Sequence, residues 1–92
     1  MDELLLSKVR LGIVSELLSA DWVGFSELAR SLEASQGNLG AHLGKLVEAG
    51  YVDEDKAFVN RKPLTRYRLT ARGRSAFAEH VKQLQSILEG AR

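Results

Sequence analysis

The chain of 92 residues carries 13 Lys and Arg against 12 Asp and Glu, a formal net charge of +1, and its hydrophobic content of 45% suffices for one small core. A single domain over residues 1–92 is expected, to which a partner subunit would add buried surface. The absence of cysteine excludes a disulfide framework, a thiol redox switch and cysteine-based zinc sites. The start, MDELLLSKVR, puts acids where a signal peptide carries its basic region, and no apolar run reaches membrane-spanning length. A soluble, cytoplasmic protein with no membrane partner is expected.

Leu6, Val9, Ile13 and Leu17 recur at helical spacing and predict a first helix over 3–19. Leu4, Leu5, Leu11, Val14 and Leu18 widen its apolar stripe beyond one face, so a second side has to be buried, and in a chain this small another subunit is the natural cover. Trp22 and Val23 read as a very short strand, with Trp22 in the core. Phe25, Leu28, Ala29 and Leu32 predict a second helix over 25–33, with Ser26 as its cap. Glu33 and Ala34 leave only a tight connection to the next element, and two short amphipathic helices so joined form a helix-turn-helix.

The third helix, over 35–49, organises the rest. Leu39, Leu43, Leu46 and Val47 share one face, Ser35 caps the start and Gly50 the end. The opposite face carries Gly37, Ala41, Gly44 and Glu48, flanked by Asn38 and Lys45. Each internal glycine costs a helix about 1 kcal/mol relative to alanine. Either close approach favours them, of a neighbouring helix at Gly40 and of a DNA backbone or groove wall at Gly37 and Gly44, or this helix is under relaxed selection.

A hairpin over 51–69 follows, with strands Tyr51 to Val59 and Leu64 to Leu69 around a turn of Asn60, Arg61, Lys62 and Pro63. Tyr67 and Leu69 face the core, and Arg66 and Arg68 point the other way by the two-residue period. Thr70 caps a last helix, predicted over 70–89, with the stripe Phe77, Val81, Leu84 and Leu88 and with Ile87 beside it. Gly73 stands where a capping box would place an acid. The distal half of this helix reads as a dimerisation arm packing with the first helix, which gives the expected interface Leu4, Leu5, Leu11, Val14, Val81, Leu84, Ile87 and Leu88.

The acids lie in two blocks, Asp2 to Asp55 and Glu79 to Glu89, and between them stand Lys56, Arg61, Lys62, Arg66, Arg68, Arg72 and Arg74. A solvated face would not explain why compensating acids are missing only here, and a phosphate contact would. His42 is weighed between helix packing and a DNA contact, and His80 is expected at an interface or on the surface.

The run GNLGAHLGKLVEAGYV, then KAFVNRKPLTRYRLTARGRSAFAEHV, resembles the short winged-helix transcriptional regulators related to the MarR and ArsR families, from Arg10 to Val81. The resemblance implies a mainly α fold with a small β-hairpin (α+β), a winged helix-turn-helix. It also implies a homodimer on operator DNA, with the third helix in the major groove and the wing on or in the minor groove. Such proteins commonly carry a serine near Gly40 and a longer side chain near Gly44, and the metal-sensing members carry thiolates that this chain lacks.

The candidate DNA-binding residues are therefore Ser35, Gln36, Asn38, Ala41, His42 and Lys45 on the helix and Arg61, Lys62, Arg66 and Arg68 on the wing. No cofactor, metal or catalytic constellation is expected, so the chain reads as a non-enzyme. Its expected partners are double-stranded DNA and a second copy, with operator, regulated genes and any effector left open. The alternatives are a protein-interaction module, suggested by the bare helix face and the acidic run Asp53, Glu54 and Asp55, and an RNA-binding winged helix.

Overall fold

Ser7 divides the apolar stretch at the N-terminus. Its backbone is extended (φ −76°, ψ 130°) and its hydroxyl accepts the Arg10 N–H at 3.3 Å, so Glu3–Leu6 form a separate 3-10 turn and α1 spans Lys8–Leu18. The expected continuous helix over 3–19 is corrected accordingly: a serine able to cap outweighs an unbroken apolar period. The break also redirects side chains. Leu5 is 1% and Val14 0% exposed, and both join Ile13 and Leu17 in the core. Neither can serve the subunit interface expected of it, because a side chain enclosed by its own chain has no surface to offer. The structure is a computed structural model describing residues 1–91; Arg92, the last residue of the expected domain, lies outside them.

After α1 come β1 (Val23–Gly24), α2 (Phe25–Leu32) and α3 (Gln36–Glu48), then β2 (Val52–Val59), β3 (Lys62–Leu69) and α4 (Ala71–Gly90). Gly24, not Ser26, holds the cap position of α2 and makes no side-chain hydrogen bond there. Glu33 ends that helix in the left-handed region (φ 52°), which turns the chain within two residues onto Ser35, whose hydroxyl accepts the Asn38 N–H at 3.2 Å. Leu28, Leu39, Leu43 and Leu46 complete the helical side of the core and Val23, Val52, Tyr67 and Leu69 the sheet side.

The sheet has the order β1-β3-β2, with Val23 opposite Tyr67 and Val52 opposite Leu69. The β2–β3 turn is tighter than expected: Val59 pairs with Lys62, and only Asn60 and Arg61 stand between, both with positive φ (52° and 64°). Positive φ at both central residues belongs to the type I′ turn, whose twist matches that of paired strands. Lys62 and Pro63 are thus strand residues.

The hairpin joins α4 at a crowded corner. Thr70 Oγ1 donates to the Gly50 carbonyl at 2.6 Å and accepts the Gly73 N–H at 3.0 Å, while the Thr70 N–H donates to the Tyr51 carbonyl at 3.0 Å. A Cβ on Gly73 would lie 2.2 Å from that carbonyl oxygen, so only glycine fits. The Tyr51 hydroxyl donates to Asp2, which with burial raises its pKa and ties the N-terminal turn to the start of the wing.

Two turns further along α4, His80 is buried at 2% exposure, contrary to the surface or interface position expected for it. Beyond Leu84 every described residue is exposed, including Ile87 (55%) and Leu88 (70%). With the helix about 30 Å long, the radius of gyration is 14.2 Å, above the roughly 12 Å of a compact chain this size.

Candidate nucleic-acid interface

The outer face of α3 is as open as its composition suggests. Ser35, Gln36, Gly37, Asn38, Gly40, Ala41, Gly44, Lys45 and Glu48 are all exposed, while Leu39, Leu43 and Leu46 anchor the helix to the core. Nothing lies within 4 Å of a Cβ built on Gly37 or Gly44, so a flat surface there can meet another molecule without obstruction. Gly40 is different from its expected role. The nearest atom to its Cβ would be a Phe25 ring carbon at 4.0 Å, ordinary contact, so helix packing does not require a glycine there.

His42 is half-buried at the edge of this face and packs against α1. Arg10 Nη1 donates to its Nδ1 at 2.9 Å, and Arg10 Nε donates to the Leu4 carbonyl at 2.6 Å. Because guanidinium is only a donor, His42 Nδ1 is an acceptor and the ring proton sits on Nε2. Burial first, then the charges of Arg10 and Lys45, lower the pKa of the imidazole from its ordinary 6.5. Of the two roles weighed for His42, the packing one is therefore filled by a specific bond, which fixes the N-terminal turn and α1 against α3.

The four wing arginine and lysine candidates separate into two pairs. Arg66 lies across from Asp55 and bonds it at 2.8 Å, and Arg68 lies across from Asp53 at 3.5 Å. Both guanidinium groups also stack on Trp22, at 4.8 and 4.5 Å from the ring centroid. Trp22 accordingly sits on the outer face of the sheet and not in the core, held by cation–π contacts that sequence spacing does not reveal. On the other face Tyr67 donates to Glu54 at 2.8 Å, and burial with that bond raises the tyrosine pKa. The acidic run Asp53 to Asp55 is thus engaged within the sheet, residue by residue.

Arg61 and Lys62, at the turn, are exposed, as is Lys56, and among the described residues none of them forms an ion pair. The uncompensated charge of the wing is concentrated at its end. No helix among the described residues is long and apolar enough to cross a membrane.

Comparison with known proteins agrees with this geometry. The family described as winged helix DNA-binding domain matches residues 9–88. An uncharacterized protein of Methanocaldococcus jannaschii is 32% identical over 81 residues, 88% of each chain. The solved structure of a transcriptional regulator homologue from Pyrococcus horikoshii superimposes with a TM-score of 0.91 at 29% identity, covering 98% of this chain and 89% of that one. Bacillus subtilis PadR, solved in complex with operator DNA, shares the fold at a TM-score of 0.72 and 13% identity over 82% of this chain and 48% of its own. A structure of MarR likewise shares the fold, at 0.78 and 19% over 90% of this chain and 60% of its own. The chain belongs to the winged helix DNA-binding domain family, whose fold it has in common with regulators of the PadR and MarR type.

Proposed function

We propose that this chain is a transcriptional regulator, not an enzyme, that acts in the cytoplasm as one winged-helix domain and binds operator DNA as a homodimer. The observation that carries this reading is the pairing of an unobstructed α3 face with a wing whose unpaired cations gather at its end. α3 enters the major groove, where Gln36 and Asn38 read base edges and Lys45 and Ser35 steady the helix on phosphates, with Ala41 close to the groove floor. Arg61 and Lys62 reach the backbone or the minor groove. Arg66 and Arg68, already matched by acids, contribute to DNA contact less than the tip does.

The homodimer reading rests on apolar surface left without cover. Leu6, Ile87 and Leu88 are exposed, Leu4, Leu11, Val81 and Leu84 are half-buried, and a soluble monomer seldom leaves a patch of this kind in water. A second copy would bury it and present two recognition helices to half-sites about 10 base pairs apart or a multiple of that spacing. Of the two motives for the protein-interaction alternative, the acidic run is spent, since Asp55, Asp53 and Glu54 are held by Arg66, Arg68 and Tyr67; the bare helix face remains and suits DNA as well as protein.

The test is titration of duplex DNA selected from the genome by the protein itself, with duplex RNA as competitor. Wild type binds the DNA selectively. Arg61→Ala with Lys62→Ala weakens binding to every sequence and makes the slope of log affinity against log salt shallower by about one unit per lost contact. Wild-type affinity and slope in the double variant, or equal preference for RNA, would refute the reading.

A further inference from the structure

Phe58 is 78% exposed, more than any other large hydrophobic side chain among the described residues, and nothing in the folding of the chain accounts for it. It belongs to β2 opposite Pro63, on the strand face that Val52 and Glu54 share by alternation. The last cross-strand pair with a buried member on that face is Glu54 with Tyr67. Phe58 lies four residues further out, about 13 Å beyond the core at the rise of an extended strand. On the opposite face Val59 and Leu64 are exposed as well. The wing therefore ends in an apolar point bordered by Lys56, Arg61 and Lys62, carried on a two-residue turn.

We propose that Phe58 is a wedge for duplex DNA: its ring enters the minor groove beside the tip cations and packs on the sugar edge or between base pairs, distorting the duplex at that step. This rests on the DNA-binding reading above. Lys56 on the face of the ring, with Arg61 in the turn and Lys62 on the opposite face, puts cations on both sides of the tip, an arrangement complementary to two lines of phosphate, and an apolar wedge between base steps is a general way of kinking a duplex. A second copy of the wing is a poor occupant, because docking tip to tip would bring Lys56, Arg61 and Lys62 of both copies together with no acid between them. A wedge also confers preference without a hydrogen bond. Pyrimidine–purine steps unstack most readily, so such a step is expected where the wing meets the DNA.

The experiment uses the full chain and its selected duplex, with 2-aminopurine placed at successive positions of the half-site flank, and compares wild type with Phe58→Ala and Phe58→Trp. Wild type raises 2-aminopurine fluorescence at one flanking step. Phe58→Ala abolishes that rise and weakens binding about tenfold, the usual range for losing one aromatic stacking contact, with the salt slope unchanged because no charge is removed. Phe58→Trp retains both. Circular dichroism verifies that each variant is folded. Wild-type affinity and fluorescence in Phe58→Ala overturn the wedge and leave the DNA reading intact, whereas absence of duplex binding by wild type overturns both. Conversion of Phe58→Ala to monomers in sedimentation would assign the ring to a protein contact, and loss of binding to phosphatidylglycerol vesicles with DNA affinity intact would assign it to a lipid surface; either overturns the proposal.

Discussion

Gly73→Ala places one methyl group in the filled corner where the hairpin joins α4. The added Cβ meets the Tyr51 carbonyl oxygen at 2.2 Å, the Tyr51 carbonyl carbon at 3.0 Å and a Leu69 methyl at 2.7 Å. The methyl can rotate away, but the carbonyl cannot, because its oxygen accepts the Thr70 N–H that sets the start of α4. Overpacking of a filled site costs about 1–3 kcal/mol. Weakening the Thr70 bond adds about 1 kcal/mol, and the helix preference of alanine over glycine returns at most about 1 kcal/mol.

A net loss of about 2 kcal/mol lowers the Tm of a domain this size by roughly 8–16 °C. Thermal unfolding followed by circular dichroism measures it, at one fixed protein concentration because association raises the Tm by mass action. Gly44→Ala is the control: its Cβ enters open space, so the substitution stabilises by up to about 1 kcal/mol. Equal Tm values for Gly73→Ala and wild type would refute the account of the corner.

Four further outcomes are expected. The His42 pKa is lowered below 6.5, so the folded state holds that proton less readily than the unfolded chain; its contribution to stability is complete above pH 6.5 and is lost as the pH falls below it. His42→Gln, whose amide oxygen can still accept from Arg10, should flatten the fall in urea midpoint on the acid side, and an unaltered pH profile would contradict the assignment. Arg66→Gln with Arg68→Gln should change Trp22 fluorescence and loosen the wing while altering the salt slope of DNA binding less than the tip double variant does; the reverse ordering would show that these arginines leave their acids for phosphate. Gln36→Ala and Asn38→Ala should each relax discrimination at one base pair by about 1–3 kcal/mol, read by competition with mismatched duplexes. Leu88→Glu should shift sedimentation towards monomer with the circular dichroism spectrum retained, and a monomeric wild type with full affinity for a single half-site would remove the dimer.

What was legible in the sequence depended on whether the deciding interaction is local. The caps at Ser35 and Thr70, the glycine stop at Gly50 and the leucine face of α3 each depend on residues within a turn or two, and all appear where spacing places them. At Ser7 the signal is equally local, but apolar period and capping compete there and the cap prevails. The same break took Leu5 out of the expected interface, while packing on the other elements took Val14.

The wing shows the harder limit. Along the chain the segment from Lys56 to Arg74 has no acid, and the cations look uniformly uncompensated. Pairing is set by register, and register by the length of the turn. A turn of Asn60 to Pro63 would set Val59 against Leu64, and so Asp55 against Arg68, leaving Arg66 opposite Ala57. The observed turn of Asn60 and Arg61 shifts β3 by two positions and brings Asp55 to Arg66 and Asp53 to Arg68 together. A shift of two keeps every side chain on its face, so the alternation of Tyr67 and Leu69 with Arg66 and Arg68 was readable while their partners were not. The uncompensated charge of the wing is set by the geometry of its tip, because the turn that exposes Arg61 is the same turn that neutralises Arg66 and Arg68.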